Sequence, residues 1–150
     1  MMRRLFFVSA AFAIAAVSTA AVATDDPILT RKKLMQANGA VFYGVANGML
    51  KGEIPFNPVV AASVLRTSSA VAHSFGDYFP EGSDTGGETR ASPKIWEEMA
   101  AFQAALEKFR QVADAAVAAE PKDLESFRTV ATQLGDTCSA CHDDYRLEDD

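Results

Sequence analysis

Hydrophobic residues recur every three or four positions along four stretches of this chain, which is the spacing of helices that bury one face. No stretch alternates apolar and polar residues as a half-buried strand would. The pattern therefore predicts an all-α chain with four helices. The four series are Ile28, Arg31, Met35, Asn38, Phe42, Val45 and Met49; Val60, Val64, Val71, Phe75 and Tyr78; Ile95, Met99, Phe102, Leu106, Phe109, Ala113 and Ala116; and Leu124, Phe127, Ala131, Leu134, Cys138, Cys141 and Tyr145.

Capping residues beside prolines mark where these helices begin, because Asp, Asn and Ser are favoured at the N-cap and proline at the first helical position. Residues 51–56 and 80–91 contain the Gly, Pro, Ser and Asp that are typical of loops. Four helices of about 20 residues with short connections predict an antiparallel up-down four-helix bundle. The predicted starts are Asp26-Pro27, Asn57-Pro58, Ser92-Pro93 and a fourth near Asp123.

The N-terminus has the pattern of a secretory signal. Two consecutive arginines precede an apolar run over residues 5–17, and an A-x-A cleavage site follows at 21–23. An uncleaved membrane anchor is the alternative, but the run is shorter than the roughly 20 residues that a spanning helix needs. We therefore expect residues 1–23 to be a cleaved signal peptide and residues 24–150 to form one domain. The mature protein is expected in the periplasm, with no membrane insertion.

Charge narrows the class of partner. The formal net charge is −6, and loss of the two signal-peptide arginines takes it to about −8. An acidic protein is unsuited to nucleic acid and to anionic membrane surfaces. We expect instead a redox partner that docks through a basic surface.

The only two cysteines of the chain belong to the pentapeptide Cys138-Ser139-Ala140-Cys141-His142. C-x-x-C-H is the signature of covalent attachment of a c-type haem. On a helix, positions i, i+3 and i+4 share one face. Cys138 and Cys141 can then each form a thioether with a haem vinyl group, while His142 coordinates the iron from the same side.

Other uses of two cysteines are less consistent with the chain. In an exported protein they can form a disulfide, and this haem-free alternative stays open until the mass is measured. A thioredoxin-like C-x-x-C lies at the start of a helix that follows a strand, and no strand pattern precedes Cys138. A zinc site lacks ligands, since the only other histidine, His73, is far away in the sequence. We interpret His73 as a surface residue.

With these motifs, nearly the whole of residues 24–150 resembles the class II c-type cytochromes, the cytochrome c′ family. Residues 51–55 and 92–96 are similar to its low-spin branch, whose members hold the iron between histidine and methionine. Cytochrome c′ proper leaves the sixth position empty and binds small gases. The principal motifs that carry the resemblance are Cys138-Ser-Ala-Cys141-His142-Asp-Asp-Tyr145-Arg146 and Arg31-Lys-Lys-Leu34-Met35.

The resemblance implies a role for each matched residue. Cys138 and Cys141 are the thioether anchors, and His142 is the proximal ligand. Met35 is the distal ligand, the alternative being a core methionine that fills space beside the haem.

Two arginines are implied as further haem contacts. Arg31 lies one turn before Met35 and would contact a haem propionate, because a charge in a core stripe needs a partner. Arg146 would lie beside His142 or a propionate, the alternative being a solvated arginine that the helix dipole favours.

Two functions follow from the resemblance. The first is a periplasmic carrier of single electrons with one covalent haem c, which is not an enzyme because no catalytic pair lies near the haem motif. The second is a protein with five-coordinate iron that binds nitric oxide or carbon monoxide at an open distal site. Relatives often pair through their first two helices, so a homodimer is a further expectation that no residue of this chain specifies by itself.

Overall fold

A computed structural model describes residues 26–148, which form helices joined by loops. The predicted signal peptide, residues 1–23, lies outside the described residues. Among those residues the only β-pairing is an isolated antiparallel bridge between Ala91 and Arg146. The helices are α1 (Pro27–Gly39), a π-helical segment (Ala40–Ala46), α2 (Asn47–Lys51), α3 (Pro58–Ser74), a 3-10 turn (Phe75–Tyr78), α4 (Lys94–Glu97), α5 (Met99–Ala118) and α6 (Leu124–Tyr145).

Side-chain caps form at three of the predicted helix starts. Asp26 and Asn57 each accept hydrogen bonds from two backbone amides of the following turn, at 2.9 to 3.2 Å. Asp123 accepts the backbone amide of Ser126 at 2.8 Å, and the two residues form a capping box. These caps satisfy amides that have no partner within the helix, and they confirm the prediction at α1, α3 and α6.

The third predicted helix begins near Ser92 but is interrupted after one turn. α4 ends at Glu97. The backbone of the next residue, Glu98 (φ −124°, ψ 43°), is not helical, and the long helix α5 begins at Met99. The Trp96 indole donates a hydrogen bond to the Pro80 carbonyl at 3.0 Å and so ties α4 to the preceding loop. A continuous apolar series is thus divided between two helices, the first of which is bonded to the loop before it.

The first predicted helix contains a π-helical segment that shifts its register. Phe42 is buried as expected, but Ala46 is buried where the series predicted Val45, which is only half-buried. A π turn holds an extra residue compared with an α turn, so every later residue rotates around the helix axis. The regular spacing could not predict this shift.

The second predicted series is also partly wrong. Val60 is 37% exposed, whereas the adjacent Ala61 is fully buried. Small residues, including Ala61, Ser68 and Ala72, occupy the inward face of α3. Val64, Leu65 and Val71 are buried on α3 as well, and the helix packs on α5.

The helices close into a ring in which α1 packs on α3, α3 on α5 and α5 on α6, while α2 contacts α6. This is the predicted four-helix bundle. No helix among residues 26–148 has the length and hydropathy to span a bilayer. The larger apolar cluster includes Phe42, Met49, Leu65, Phe109, Phe127 and Leu134, and the smaller comprises Phe79, Ile95, Phe102, Leu106 and Tyr145.

Candidate haem-binding site

A cavity of about 750 Å³ opens between α1 and the C-terminal half of α6. Residues of both apolar clusters line it, so it lies where the two clusters would otherwise meet. At the other end of the bundle, α2 contacts α6 directly. There Arg128 of α6 donates a hydrogen bond to the Leu50 carbonyl of α2 at 2.9 Å. The volume falls in the range of about 300 to 1,000 Å³ that is typical of pockets for cofactors and other small molecules.

α6 provides one wall of this cavity. Cys138, Cys141 and His142 all line it, and each is half-buried. They share a face because α6 is a regular helix of 22 residues that continues to Tyr145. The structure therefore brings the whole predicted attachment motif to one side of one cavity.

The two thiols do not have the properties of a redox-active pair. Burial raises the pKa of Cys138 to about 11, and burial also raises the pKa of Cys141. Redox-active C-x-x-C cysteines have lowered pKa values and lie at helix N-termini. Here both thiols lie near the C-terminal end of α6, and no strand precedes that helix within the described residues. The thioredoxin-like alternative has no structural support.

His142 is half-buried between the cavity and solvent. Burial lowers the pKa of its imidazole, and the nearby charge of Arg146 lowers it further. Both effects favour the neutral ring, which is the form that coordinates a metal.

α1 provides the facing wall. Arg31, Met35 and Asn38 of α1 line the cavity together with Phe42 of the π-helical segment, in agreement with their common stripe in the sequence. Met35 is half-buried there and also packs against the larger apolar cluster. α1 thus brings a methionine to the same cavity as the attachment motif.

Arg31 is only 4% exposed although it carries a charge. Its guanidinium donates to the Tyr78 carbonyl (3.1 Å), to the hydroxyl (3.0 Å) and carbonyl (2.7 Å) of Ser83, and to the Thr89 hydroxyl (2.8 Å). It also lies over the ring of Phe79, 4.8 Å from the centroid. These contacts tie α1 to the loop that precedes α4.

The acceptors around Arg31 are all neutral, so its buried charge has no bonded carboxylate among the described residues. Burial accordingly lowers the pKa of the guanidinium. A buried cation is stabilised by a counter-ion. A haem propionate would provide one, since Arg31 also lines the cavity.

Further cations surround the mouth of the cavity. Lys32, Arg90 and the exposed Arg146 line it, and Glu88 is the single acid among the described lining residues. Lys32 binds Glu88 at 3.1 Å. The excess of positive charge suits a group that carries two carboxylates, so the residues present fit a c-type haem in shape, in charge and in anchoring chemistry.

Two serines that no sequence pattern indicated form hydrogen bonds with the polar residues of the α1 wall. Ser83 binds Arg31, and Ser68 donates a hydrogen bond to the Asn38 side-chain oxygen at 2.8 Å. Ser68 is fully buried in α3. A serine flanked by the apolar positions of the second series could have drawn attention to this site.

His73 lies away from the cavity, as predicted. It is exposed on α3 and bonds the Asp114 carboxylate of α5 at 2.9 Å. Within the described part of the chain, no cluster of three or more His, Cys, Asp or Glu residues could bind a metal ion.

Comparison with known proteins agrees with this geometry. The family model described as Cytochrome C′ matches residues 26–146. Cytochrome c-556 from Agrobacterium fabrum is 33% identical over 148 residues, which cover 99% of each chain. Cytochrome c′ from Rhodopseudomonas palustris is 36% identical over 130 residues, 85% of this chain and 86% of that protein.

Solved structures show the same fold. A structure of cytochrome c′ from Rhodopseudomonas palustris has a TM-score of 0.78 at 33% identity and covers 85% of this chain and 100% of that chain. Cytochrome c prime from Shewanella frigidimarina has a TM-score of 0.75 at 29% identity, covering 82% and 95%. The relatives include proteins named c-556 and proteins named c′. The chain belongs to the cytochrome c′ family, whose members carry one covalently bound c-type haem.

Proposed function

We propose that this protein carries single electrons with an iron held between His142 of α6 and Met35 of α1. The observation that carries the proposal is that both side chains line one cavity from two different helices. An imidazole and a thioether are both ligands that haem iron accepts. Ligation by histidine and methionine also raises the reduction potential, which suits an electron carrier.

The haem supplies the one-electron chemistry of its iron when it is bound. The chain's own residues would do the rest: Cys138 and Cys141 would anchor the group to α6, and His142 would hold its iron. Met35 would hold the iron from α1, which would leave no open site for a substrate.

Arg31 and Arg146 bind the propionates in this proposal. Arg31 is supported by its burial without a hydrogen-bonded carboxylate, and Arg146 by its place at the mouth of the cavity. Phe42, Phe102 and Phe109 line the cavity and would keep water from the iron. Excluding water and placing charge near the group are ways in which a protein tunes a reduction potential.

The location and the partner are parts of the same proposal. The signal pattern of residues 1–23 supports export to the periplasm. The net charge of −6 supports a redox partner with a basic docking surface. Pairing of two copies stays a prediction from the family resemblance.

The absorption spectrum of the reduced protein, recorded before and after addition of carbon monoxide, tests the ligand assignment. We expect a low-spin spectrum that carbon monoxide does not change. Met35→Ala should become high-spin and bind the gas at once. Met49→Leu is the matched control, since it removes a thioether from the same helical stretch without touching the cavity and conserves volume.

Two results would contradict the proposal. A wild-type protein that is high-spin and binds carbon monoxide immediately would favour the five-coordinate, gas-binding function. A low-spin Met35→Ala protein with an unchanged potential would show that another group holds the sixth position.

A further inference from the structure

We propose that the redox partner, a protein with a basic surface, docks on the side of the bundle formed by α4, and that electrons pass between the two proteins there beside Trp96. This inference rests on the proposed electron-carrier function and names the surface through which that function is exerted. We call this region the α4 surface, and it comprises Glu81, Trp96, Glu97, Glu98 and Asp144.

The first argument is a series of aromatic ring contacts that runs from the cavity to the surface. Tyr145, Phe102 and Phe79 all line the cavity. The ring centroid of Phe102 lies 5.1 Å from that of Tyr145 and 4.7 Å from that of Phe79. The Phe79 centroid in turn lies 6.0 Å from that of Trp96. Trp96 is half-buried and lies outside the cavity wall, so it is the member of the series that extends the contacts toward solvent.

The second argument is the position of Arg31 beside the same tryptophan. Its guanidinium lies 5.5 Å from the centroid of the Trp96 ring, and Arg31 also lines the cavity. The Trp96 indole donates a hydrogen bond to the Pro80 carbonyl at 3.0 Å, which holds the ring in place. Since Arg31 binds a propionate in the proposed function, few side chains would separate the haem from a partner on this side. The protein sets how closely a cofactor can approach its reaction partner, and here the separation is short.

The third argument is the charge next to Trp96. Glu97 follows it directly, and Glu81 follows Pro80, the residue that accepts the indole hydrogen bond. Both glutamates are exposed, and neither is bonded to a cation within residues 26–148. Their charges are therefore available to a basic partner.

The remaining charges of the α4 surface are also mainly acidic. Lys94 binds the Asp144 carboxylate at 3.0 Å and lies 3.9 Å from that of Glu98. This one lysine is thus already held by two carboxylates. An exposed tryptophan edge surrounded by charged residues is typical of protein interfaces, which are rich in tryptophan at the centre and polar at the rim.

The mouth of the cavity has the opposite charge. Lys32, Arg90 and Arg146 line it, with Glu88 as the one acid among the described lining residues. Like charges oppose association, whereas opposite charges steer a partner toward its docking surface. A basic partner is therefore directed away from the mouth and toward the α4 surface.

Oxidation of the reduced, haem-loaded protein by two complexes of opposite charge tests the inference. Tris(phenanthroline)cobalt(III) is tripositive and ferricyanide is trinegative. Each accepts one electron, so the iron changes from ferrous to ferric while cobalt(III) becomes cobalt(II) or ferricyanide becomes ferrocyanide. At low salt, Glu81→Gln/Glu97→Gln should lower the rate constant for the cobalt complex about fivefold, because attraction between opposite charges raises association rates. The rate constant for ferricyanide should not fall.

Glu53→Gln/Glu125→Gln is the matched control. It removes the same charge from two exposed positions at the other end of the bundle, one after α2 and one in the first turn of α6. Its rate constant for the cobalt complex should stay within about twofold of the wild-type value. High salt should remove the difference between the wild type and Glu81→Gln/Glu97→Gln, since salt screens exposed charges.

Two variants of Trp96 test the role of the ring at high salt, where charge has little effect. Trp96→Leu should lower the rate constant for the cobalt complex about fivefold, because the ring contact between cavity wall and surface is lost. Trp96→Phe keeps a ring without the hydrogen bond to Pro80 and should stay within about twofold of the wild type. The reduction potential of each variant is measured, so that rates are compared at equal driving force.

A decalysine peptide serves as the probe for a basic surface. It should compete with the cobalt complex and slow the oxidation of the wild type and of Glu53→Gln/Glu125→Gln at low salt. Its effect on Glu81→Gln/Glu97→Gln should be much smaller, because the charges that bind it are absent.

The outcomes separate this inference from the proposed function. Equal slowing by the two double variants, or an equal effect of decalysine on them, would overturn the α4 surface and leave the electron carrier intact. A Trp96→Leu protein as fast as the wild type would overturn the role of the ring. A wild type that sediments as a dimer while Trp96→Leu is a monomer would show that a second copy covers this surface, and would also overturn the inference. A haem-loaded wild type that exchanges electrons with neither complex would overturn the proposed function, and this inference with it.

Discussion

The two walls of the cavity, α6 and α1, are built by different means. α6 carries its attachment chemistry within five consecutive residues of one regular helix. α1 is a helix of 13 residues followed by a π-helical segment, and contacts with distant parts of the chain support its cavity-facing residues. The residues that attach a haem covalently can be neighbours in the sequence. The residues of a wall that binds it non-covalently are held by contacts with segments that are distant in the sequence.

The sequence separations of the supporting contacts express this difference. The hydrogen bonds of Arg31 reach residues 47 to 58 positions away, and the bond between Asn38 and Ser68 spans 30 positions. The main hydrogen bonds at the start of α6, between Asp123 and Ser126, span three. Long-range contacts form only when the whole bundle is in place, so the α1 wall is the one that depends on folding.

The largest effect should come from removing the covalent anchors. We expect Cys138→Ala/Cys141→Ala, exported where haem is attached, to lose the covalent haem completely, because no thiol is left to form a thioether. The protein should also melt at a lower temperature, since the bundle would lose the group that fills its cavity of about 750 Å³. Mass spectrometry of the mature protein and a thermal melt measure both effects.

Ser139→Ala is the matched control, because Ser139 lies between the two cysteines and is exposed. It should retain the haem mass and the wild-type melting temperature. If the double cysteine variant still carried covalent haem, the attachment role of α6 would be refuted.

The α6 wall could be predicted almost entirely from the sequence. Its N-cap, its apolar stripe and the place of Cys138 and Cys141 on that stripe all follow from spacing along one helix. A helix relates residues three or four positions apart by its own geometry, so no knowledge of the remaining chain is needed. Even the boundary at Asp123 is set by a local hydrogen bond.

The α1 wall could be predicted only in part. The stripe placed Arg31, Met35 and Asn38 on one side, and all three line the cavity. It did not predict Ser68 or Ser83, because these serines act through contacts that cross the bundle. A serine is common in loops and helices, so its residue type does not predict a role. The role of these two serines becomes visible only when their hydrogen-bond partners are known.

The π-helical segment is a second feature that spacing could not predict. It changes which residue faces the core after Phe42 from Val45 to Ala46. The residues of this segment carry no pattern that distinguishes a π turn from an α turn. The interruption between α4 and α5, which the Trp96 bond to Pro80 accompanies, is likewise not marked by the apolar spacing.

A smaller effect should come from the tether of the α1 wall. Arg31→Leu removes four hydrogen bonds and leaves their acceptors without this donor. We expect the free energy of unfolding of the haem-loaded protein to fall by ~2–4 kcal/mol, which urea denaturation can measure. The covalent haem should remain, since α6 alone anchors it.

Arg31→Lys and Lys33→Leu sharpen this test. Lysine keeps the charge but not the planar fork, so we expect an intermediate loss of stability. Lys33 is exposed, two positions from Arg31, and its replacement should change the free energy of unfolding by less than about 0.5 kcal/mol. Loss of covalent haem from Arg31→Leu would mean that the two walls are not independent.

The smallest effect concerns the start of α6 and its dependence on pH. The hydrogen bonds from the Ser126 backbone amide (2.8 Å) and hydroxyl (2.7 Å) lower the pKa of the Asp123 carboxyl. A lowered pKa means that this carboxylate stabilises the fold above its unfolded pKa of about 3.9, and that the contribution is lost as the pH falls through the lower folded value. Asp123→Asn keeps a good cap but cannot titrate. The melting temperature of the wild type should therefore fall relative to that of Asp123→Asn between about pH 4 and pH 2.

The same acid range also tests the α1 wall through Arg31. A guanidinium stays charged throughout that range, and its hydrogen bonds to neutral acceptors do not titrate. Acid should thus weaken the start of α6 through Asp123 while the tether of α1 persists. Arg31→Leu in the Asp123→Asn background should still lower the melting temperature at pH 3, although by less than at pH 7, because protonation of the haem propionate proposed as the counter-ion of Arg31 removes that part of its contribution. If Arg31→Leu no longer lowered the melting temperature at pH 3, the hydrogen bonds of Arg31 to neutral acceptors would contribute nothing by themselves, and the contrast between the two walls would fail.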